Sequence, residues 1–149
     1  GRTEMEQAEM EPVWDDHNAA EFALKDAEAA LKTMVEDPYV RVMANGAGGQ
    51  GKEQVRAFYT EVLIPQWPDD AQMQSVNRVF GQDQLVDELH LSFTHAKQMD
   101  WLLPGEPASN KKVEMDVLIV VGFRDDLVVG ERVFWDHAAV LRQVGPLQF

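Results

Sequence analysis

Trp135-Asp136-His137 sets a ring, a carboxylate and an imidazole side by side where a long apolar segment ends. Moving a proton at a carbon next to a carbonyl needs a base within hydrogen-bond reach and a donor for the developing oxyanion. In an apolar hollow, Asp136 would have its proton affinity raised by desolvation, which suits a carboxylate that gives and takes protons near neutrality. His95, at the end of a neighbouring predicted strand, is the second catalytic candidate. Arg78 is the third, a cation able to pair with a carboxylate or steady an enolate. Glu88 and Asp100 are further polar candidates for contact with a substrate. Trp14, Tyr59, Phe93, Trp101, Phe134 and Trp135 would supply an apolar wall, although aromatics at such spacings also build cores. Each charged candidate has a structural alternative, since Arg78 paired with Glu88 or Asp136 is an ordinary ion pair. His17 interrupts an apolar stripe. It is either a core histidine held by a backbone carbonyl or a group facing the hollow.

Several chemistries are excluded or disfavoured. The formal charge of −13 argues against nucleic acid and against anionic membrane surfaces, because both need clustered Lys and Arg. The chain has no cysteine, so thiolate chemistry and disulfides are absent, which suits a cytoplasmic protein. No apolar run resembles a signal peptide or is long enough to span a bilayer. Gly46 to Lys52 approaches a phosphate-binding loop, but Glu53 stands where a hydroxyl must reach magnesium, and nucleotide binding is rejected. His90, His95 and Asp100 make a poor metal set, because an odd separation along a strand sends His90 and His95 to opposite faces. No metal and no other cofactor is expected.

The elements that must position these groups follow from periodicity. Residues 1–11 read as a loose polar lead-in, and 12–149 as one domain. From Pro12 the spacing predicts a helix with the stripe Val13, His17, Ala20, Leu24, Ala27, Leu31 and Met34, ended by Glu36-Asp37-Pro38. Tyr39 to Met43 reads as a short strand. A glycine-rich loop and a second helix carrying Val55, Phe58, Tyr59, Val62 and Leu63 follow. Gln74–Phe80 and Leu85–His95 read as strands joined through Gly81-Gln82-Asp83, and Met99–Gly105 as an apolar lid or plug. Met115–Phe123 is nearly unbroken apolar sequence, the pattern of a strand buried on both faces. Arg124-Asp125-Asp126 then turns the chain into a returning strand, Val128–Trp135. Asp136–Gln143 predicts a short last helix. The order is α+β: a curved, cone-shaped antiparallel sheet packed by the N-terminal helices, with its other face open to a second subunit.

Trp14, His17, Glu21-Phe22, Glu36-Asp37-Pro38, Phe58-Tyr59, Asn77-Arg78, Val86-Asp87-Glu88, Phe93-Thr94-His95, Met99–Gly105 and Glu131–Gln143 occur in an order that resembles the SnoaL-like polyketide cyclases of the nuclear transport factor 2-like superfamily. The nearest resemblance is to their "ester cyclase" branch. It covers Val13 to Gly145, and its specific parts are Phe93-Thr94-His95 with Met99–Gly105, and the Trp135-Asp136 to Gln143-Val144-Gly145 ending. The resemblance implies a cystatin-like α+β barrel, usually a homodimer, with an apolar pocket and no cofactor. It also implies an acid–base role for Asp136 in an aldol ring closure. The partner histidine of those cyclases would fall near Gly122 and is missing, so His95 is its replacement. The function this suggests is a cofactor-independent cyclase or isomerase acting on a small apolar carbonyl or polyketide-like substrate. Epoxide hydrolysis is less suited, because the one Arg-x-Asp, Arg124 to Asp126, lies in a turn. Dehydration of the scytalone type finds few candidates beyond His17, His95 and Tyr59. The alternative class is a non-catalytic ligand-binding or dimerisation module.

Overall fold

The computed structural model describes residues 5–145. Its elements are α1 (Gln7–Asn18), α2 (Ala27–Lys32), β1 (Met34–Val42), β2 (Gly48–Gln50), α3 (Lys52–Phe58), β3 (Gln72–Gly81), β4 (Gln84–Thr94), β5 (Lys112–Arg124), β6 (Leu127–Trp135) and α4 (His137–Val144). Two five-residue π-helical turns, Ala19–Ala23 and Tyr59–Leu63, prolong α1 and α3. The strands form one open sheet in the order β2-β1-β6-β5-β4-β3. Every neighbouring pair is antiparallel except β1 with β6, so the α+β class holds while the sheet is mixed and not closed into a barrel. No helix of the described residues is long and apolar enough to cross a membrane.

The hairpin β5–β6 follows the sequence pattern with one difference. Along β5 the residues Val113, Met115, Val117, Ile119, Val121 and Phe123 are buried, while Glu114, Asp116 and Leu118 between them are exposed. The strand therefore covers one face in the single chain, as strict period-two alternation dictates. Asp125 and Asp126 both take positive φ in the turn, a conformation aspartate tolerates better than most residues.

The N-terminal half departs further. Helix α1 begins at Gln7, inside the stretch expected to be a loose lead-in. A reciprocal capping box between Glu6 and Glu9 and burial of Met5 and Met10 anchor it. The helix does not run on to Glu36. It breaks at Leu24–Asp26, with Lys25 at φ 53°, and Asp26 caps α2 by accepting from the Glu28 and Ala29 N–H groups. Strand β1 then starts at Met34 and carries Pro38 through a register shift between Met34 and Tyr39, where a missing N–H is tolerated.

Tyr39 of β1 faces Gly130 of β6, and a Cβ on Gly130 would lie 2.5 Å from the tyrosine ring. The ring takes the place of a side chain there. Gly130→Ala should therefore cost about 1–3 kcal/mol of stability by overpacking. Urea denaturation would check this, and an unchanged midpoint would mean that Tyr39 swings away freely.

Candidate active site

His17 is completely buried one turn before Glu21, and the π-helical turn at Ala19–Ala23 carries Glu21 toward the sheet. Such turns inside helices often accompany functional sites. The Thr33 hydroxyl donates to the Ala30 carbonyl at 2.7 Å, so it receives its 2.7 Å contact with His17 from the Nδ1–H. That bond orients the ring and leaves Nε2 facing three groups. Glu21 Oε1 lies at 2.7 Å, the Tyr59 hydroxyl at 3.2 Å and Glu131 Oε2 at 3.6 Å. Trp14 stacks on the other side of the imidazole, with ring centroids 5.3 Å apart.

A carboxylate oxygen 2.7 Å from a ring nitrogen needs a proton between them, and the electrostatics put it on the ring. Burial works against the charge on His17, but attraction to Glu21 and Glu131 overrides it and lifts the imidazole to about 9. Glu131 is pushed up to about 8, first by desolvation and then by repulsion from Glu21, with His17 pulling the other way. Tyr59 is also held well above its ordinary value, mainly by burial. At neutral pH this arrangement is an imidazolium paired with Glu21, beside a Glu131 that keeps its own proton. Glu131 Oε2 has no hydrogen-bond partner, while Glu21 Oε1 is held by His17.

Both carboxylates line a cavity of about 60 Å³. Apart from Asn18 the rest of its wall is apolar and includes Phe22, Val40, Leu89, Ile119 and Val133, together with all four tryptophans of the chain: Trp14, Trp67, Trp101 and Trp135. The wall on one side is the bend carrying Trp67 and the loop carrying Trp101, whose rings stack at 5.4 Å. Asp100 N–H donates to Gln66 Oε1 at 2.6 Å, and Gln66 Nε2 donates back to Asp100 at 3.0 Å. This reciprocal pair ties the bend to the loop. Met99, Trp101, Leu102 and Leu103 are buried beneath it, in keeping with the plug read from the sequence.

The sequence candidates divide between this site and other places. Trp14, Trp101 and Trp135 line the cavity, while His17 and Tyr59 stand behind its carboxylates. Asp136, His95 and Arg78 are not brought together, and none of them lines the cavity. Asp136 is exposed at the end of β6, where it caps α4 by accepting from the Ala139 N–H at 3.2 Å. It stands in water and not in the apolar hollow that the acid–base expectation required. Asp136→Ala should cost about 1 kcal/mol of stability, and Asp136→Asn less, since asparagine caps as well. Thermal melts of the two variants would decide it, with equal losses speaking against the cap.

His95 is buried, bonded through Nδ1 to Ser109, and burial lowers its proton affinity. Arg78 is the expected structural ion pair with different partners. It meets Asp15 at 2.8 Å, Glu11 at 3.5 Å and the fully buried Asp87 at 3.4 Å. Asp87 also accepts from Trp14 Nε1 at 2.9 Å and from the Ser75 hydroxyl at 2.6 Å, so this network pins α1, and with it His17, to the sheet. Glu88 is half-buried on the outer face, Phe93 is in the core, and Phe134 packs under the Arg132 guanidinium. Sequence reasoning missed Glu21 and Glu131 as site residues, together with Phe22 and Trp67 of the wall.

His17, Glu21 and Glu131 offer three ligand atoms within 4.8 Å of one another, donor types that suit a divalent cation. His17 Nε2, however, carries the proton shared with Glu21 at 2.7 Å, and an ion there would have to displace it. The arrangement is better matched to holding and moving protons.

No family model and no curated protein matches the chain. Solved structures show its fold. TsrD from Streptomyces laurentii superposes with a TM-score of 0.72 at 18% identity, covering 96% of this chain and 99% of that one. A proposed SnoaL-like polyketide cyclase from Jannaschia sp. CCS1 gives 0.72 at 16% identity, covering 97% and 99%. A protein of ketosteroid isomerase-like fold from Catenulispora acidiphila, in complex with trimethylamine, gives 0.67 at 14% identity, covering 91% and 93%. The chain therefore has the nuclear transport factor 2-like fold that its sequence resemblance implied.

Proposed function

We propose that this protein is a proton-transfer enzyme of the cyclase or isomerase type, acting on a small apolar carbonyl compound, with Glu131 as the group that takes and returns the proton. The observation that carries this reading is a pair of buried carboxyl groups on residues that line an apolar cavity beside a histidine, Glu21 held by His17 and Glu131 with an oxygen left unpaired. Two carboxylates in different environments divide the labour. Glu21 is engaged by His17 at 2.7 Å, whereas Glu131 at 3.6 Å is free to reach a substrate. In its ionised form Glu131 takes the proton from the carbon next to the carbonyl. The C–H electron pair becomes the new C=C bond, and the carbonyl π pair moves to oxygen as an enolate. Return of the proton to another carbon completes an isomerisation, while attack of the enolate carbon on a second carbonyl closes a ring.

Solvent deuterium exchange tests this without knowledge of the natural substrate. Small ketones incubated with the protein in D₂O should exchange their α-hydrogens, and Glu131→Gln should abolish the excess over buffer. If no ketone exchanges although ligands raise the melting temperature, a binding module is the better reading. A cytoplasmic setting and a homodimer belong to the same proposal. Leu118 and Val79 leave apolar surface exposed on the outer sheet face, where a second copy would cover them. Sedimentation at the 16.8 kDa monomer mass would remove the dimer.

A further inference from the structure

Among the described residues, five buried side-chain polar atoms make no well-aligned hydrogen bond: Glu21 Oε1, which keeps its 2.7 Å ion pair with His17, and Glu131 Oε2, Trp101 Nε1, Arg78 Nε and His95 Nε2. The first three belong to residues that line the cavity. Two are acceptors and have been given a role above. The third is of the opposite kind, because an indole nitrogen can only donate. The fold pairs the same group on two other cavity tryptophans, Trp14 Nε1 with Asp87 at 2.9 Å and Trp135 Nε1 with His137 at 3.0 Å. On Trp101, which is 5% exposed, it is left open.

The segment carrying Trp101 is firmly held. Its backbone carbonyl accepts from Asn45 Nδ2 at 3.0 Å, and the preceding residue is clamped by Gln66. The Leu102 and Leu103 N–H groups both return to the Met99 carbonyl. The ring sits between Trp67, stacked at 5.4 Å, and Trp135, edge-on at 6.3 Å. Leaving a buried donor unpaired in so fixed a setting carries a desolvation cost, which a bound acceptor removes. A donor held in place before the substrate arrives is also what stabilises a developing oxyanion without reorganisation.

We propose that the Trp101 indole N–H binds the carbonyl oxygen of the substrate, which makes the ligand class a small ketone or enone whose oxygen lies at Trp101 and whose acidic C–H faces Glu131. The second half rests on the proton-transfer reading, while the first stands on binding alone. In the enolisation step the indole keeps its proton and only strengthens its hydrogen bond as the oxygen gains charge.

Cyclopentanone and methylenecyclopentane are matched probes, identical in shape except that C=O replaces C=CH₂. The wild-type protein should bind the ketone about tenfold more tightly, the worth of one buried hydrogen bond. Trp101→Phe, which keeps a ring and removes the donor, should lose that preference and favour the hydrocarbon, whose burial leaves no polar atom unpaired. Where that variant is poorly folded, benzothienylalanine at position 101 replaces the N–H by sulfur at nearly constant shape and serves instead. In ¹⁵N-labelled protein the Trp101 indole resonance should move on adding the ketone and stay in place with the hydrocarbon. Equal wild-type affinities, a preference that survives loss of the N–H, or failure of both probes to bind overturns the assignment. Glu131→Gln separates the two readings. Its loss of exchange tests the base, and its ketone preference should remain.

Discussion

Glu131→Gln is expected to lower α-proton exchange by a factor on the order of 10²–10⁴, the range a positioned general base contributes. Glutamine keeps the shape and one acceptor oxygen but cannot take a proton. The size of the effect follows from where Glu131 sits. Burial and the neighbouring Glu21 raise it to about 8, so at pH 7 about a tenth of the molecules carry the reactive anion, and that anion is a stronger base than a surface carboxylate. The rate should climb as pH rises toward 8 and Glu131 ionises. It should fall again beyond about 9 as His17 loses the proton that balances the charge of the site. The rising limb should vanish with the residual rate of Glu131→Gln. Asp136→Asn, by contrast, should leave both the rate and the profile within about twofold, because a cap at the exposed end of α4 touches no part of the cavity. Loss of exchange in Asp136→Asn together with its survival in Glu131→Gln would reverse the assignment.

The contrast between Asp136, exposed at a helix end, and Glu131, buried on a residue that lines the cavity, shows which features of this chain can be read from residues alone. The hairpin β5–β6, the Asp125-Asp126 turn and α4 were all legible, since each depends on local rules: alternation, a turn pair that tolerates positive φ, and a capping residue before an apolar stripe. Asp136 was also legible, but an aspartate just before a helix fits an N-cap as well as a catalytic base. Glu131 had its own signal. It shares a face of β6 with Val133 and Trp135, and a charged residue in phase with these apolar, partly buried side chains calls for a partner. Glu21 follows His17 by four residues, a spacing that puts it on the same helix side as the histidine although it was not part of the apolar stripe. What the residues could not supply is the meeting of these groups. The π-helical turn at Ala19–Ala23 and the break at Leu24–Asp26 set how far Glu21 leans toward the sheet, and the apolar spacing continues undisturbed through both. The parallel pairing of β1 with β6 places Glu131 beside Val40, and strand order of that kind follows from packing across the whole chain.

His17 carries the largest expected effect on stability. His17→Asn leaves Glu21 buried at 3% exposure without its cation, and breaking a buried pair from one side costs about 3–5 kcal/mol. Adding Glu21→Gln to that variant should recover much of the loss, because it removes the stranded charge as well. The pH dependence gives a sharper check. His17 is raised from 6.5 to about 9 in the folded protein, so its contribution is complete below about 6.5 and disappears as pH rises through 9. Glu131, raised from 4.5 to about 8, acts in the same direction: the folded state holds that proton more tightly, and the benefit fades as pH rises through 8. The groups facing His17 are Glu21 from the π-helical turn, Glu131 from β6 and Tyr59 from the helix above, and the raised Glu131 and Tyr59 act with the same sign. Unfolding free energies measured in urea should therefore fall from pH 6 to pH 9.5 in the wild type and stay flatter in the double variant. The penalty of His17→Asn should shrink over the same interval, since the wild-type imidazolium is being lost there. A penalty that stays constant or grows toward pH 9.5 would mean that His17 is neutral in the folded protein, and the charge balance on which Glu131 depends would go with it.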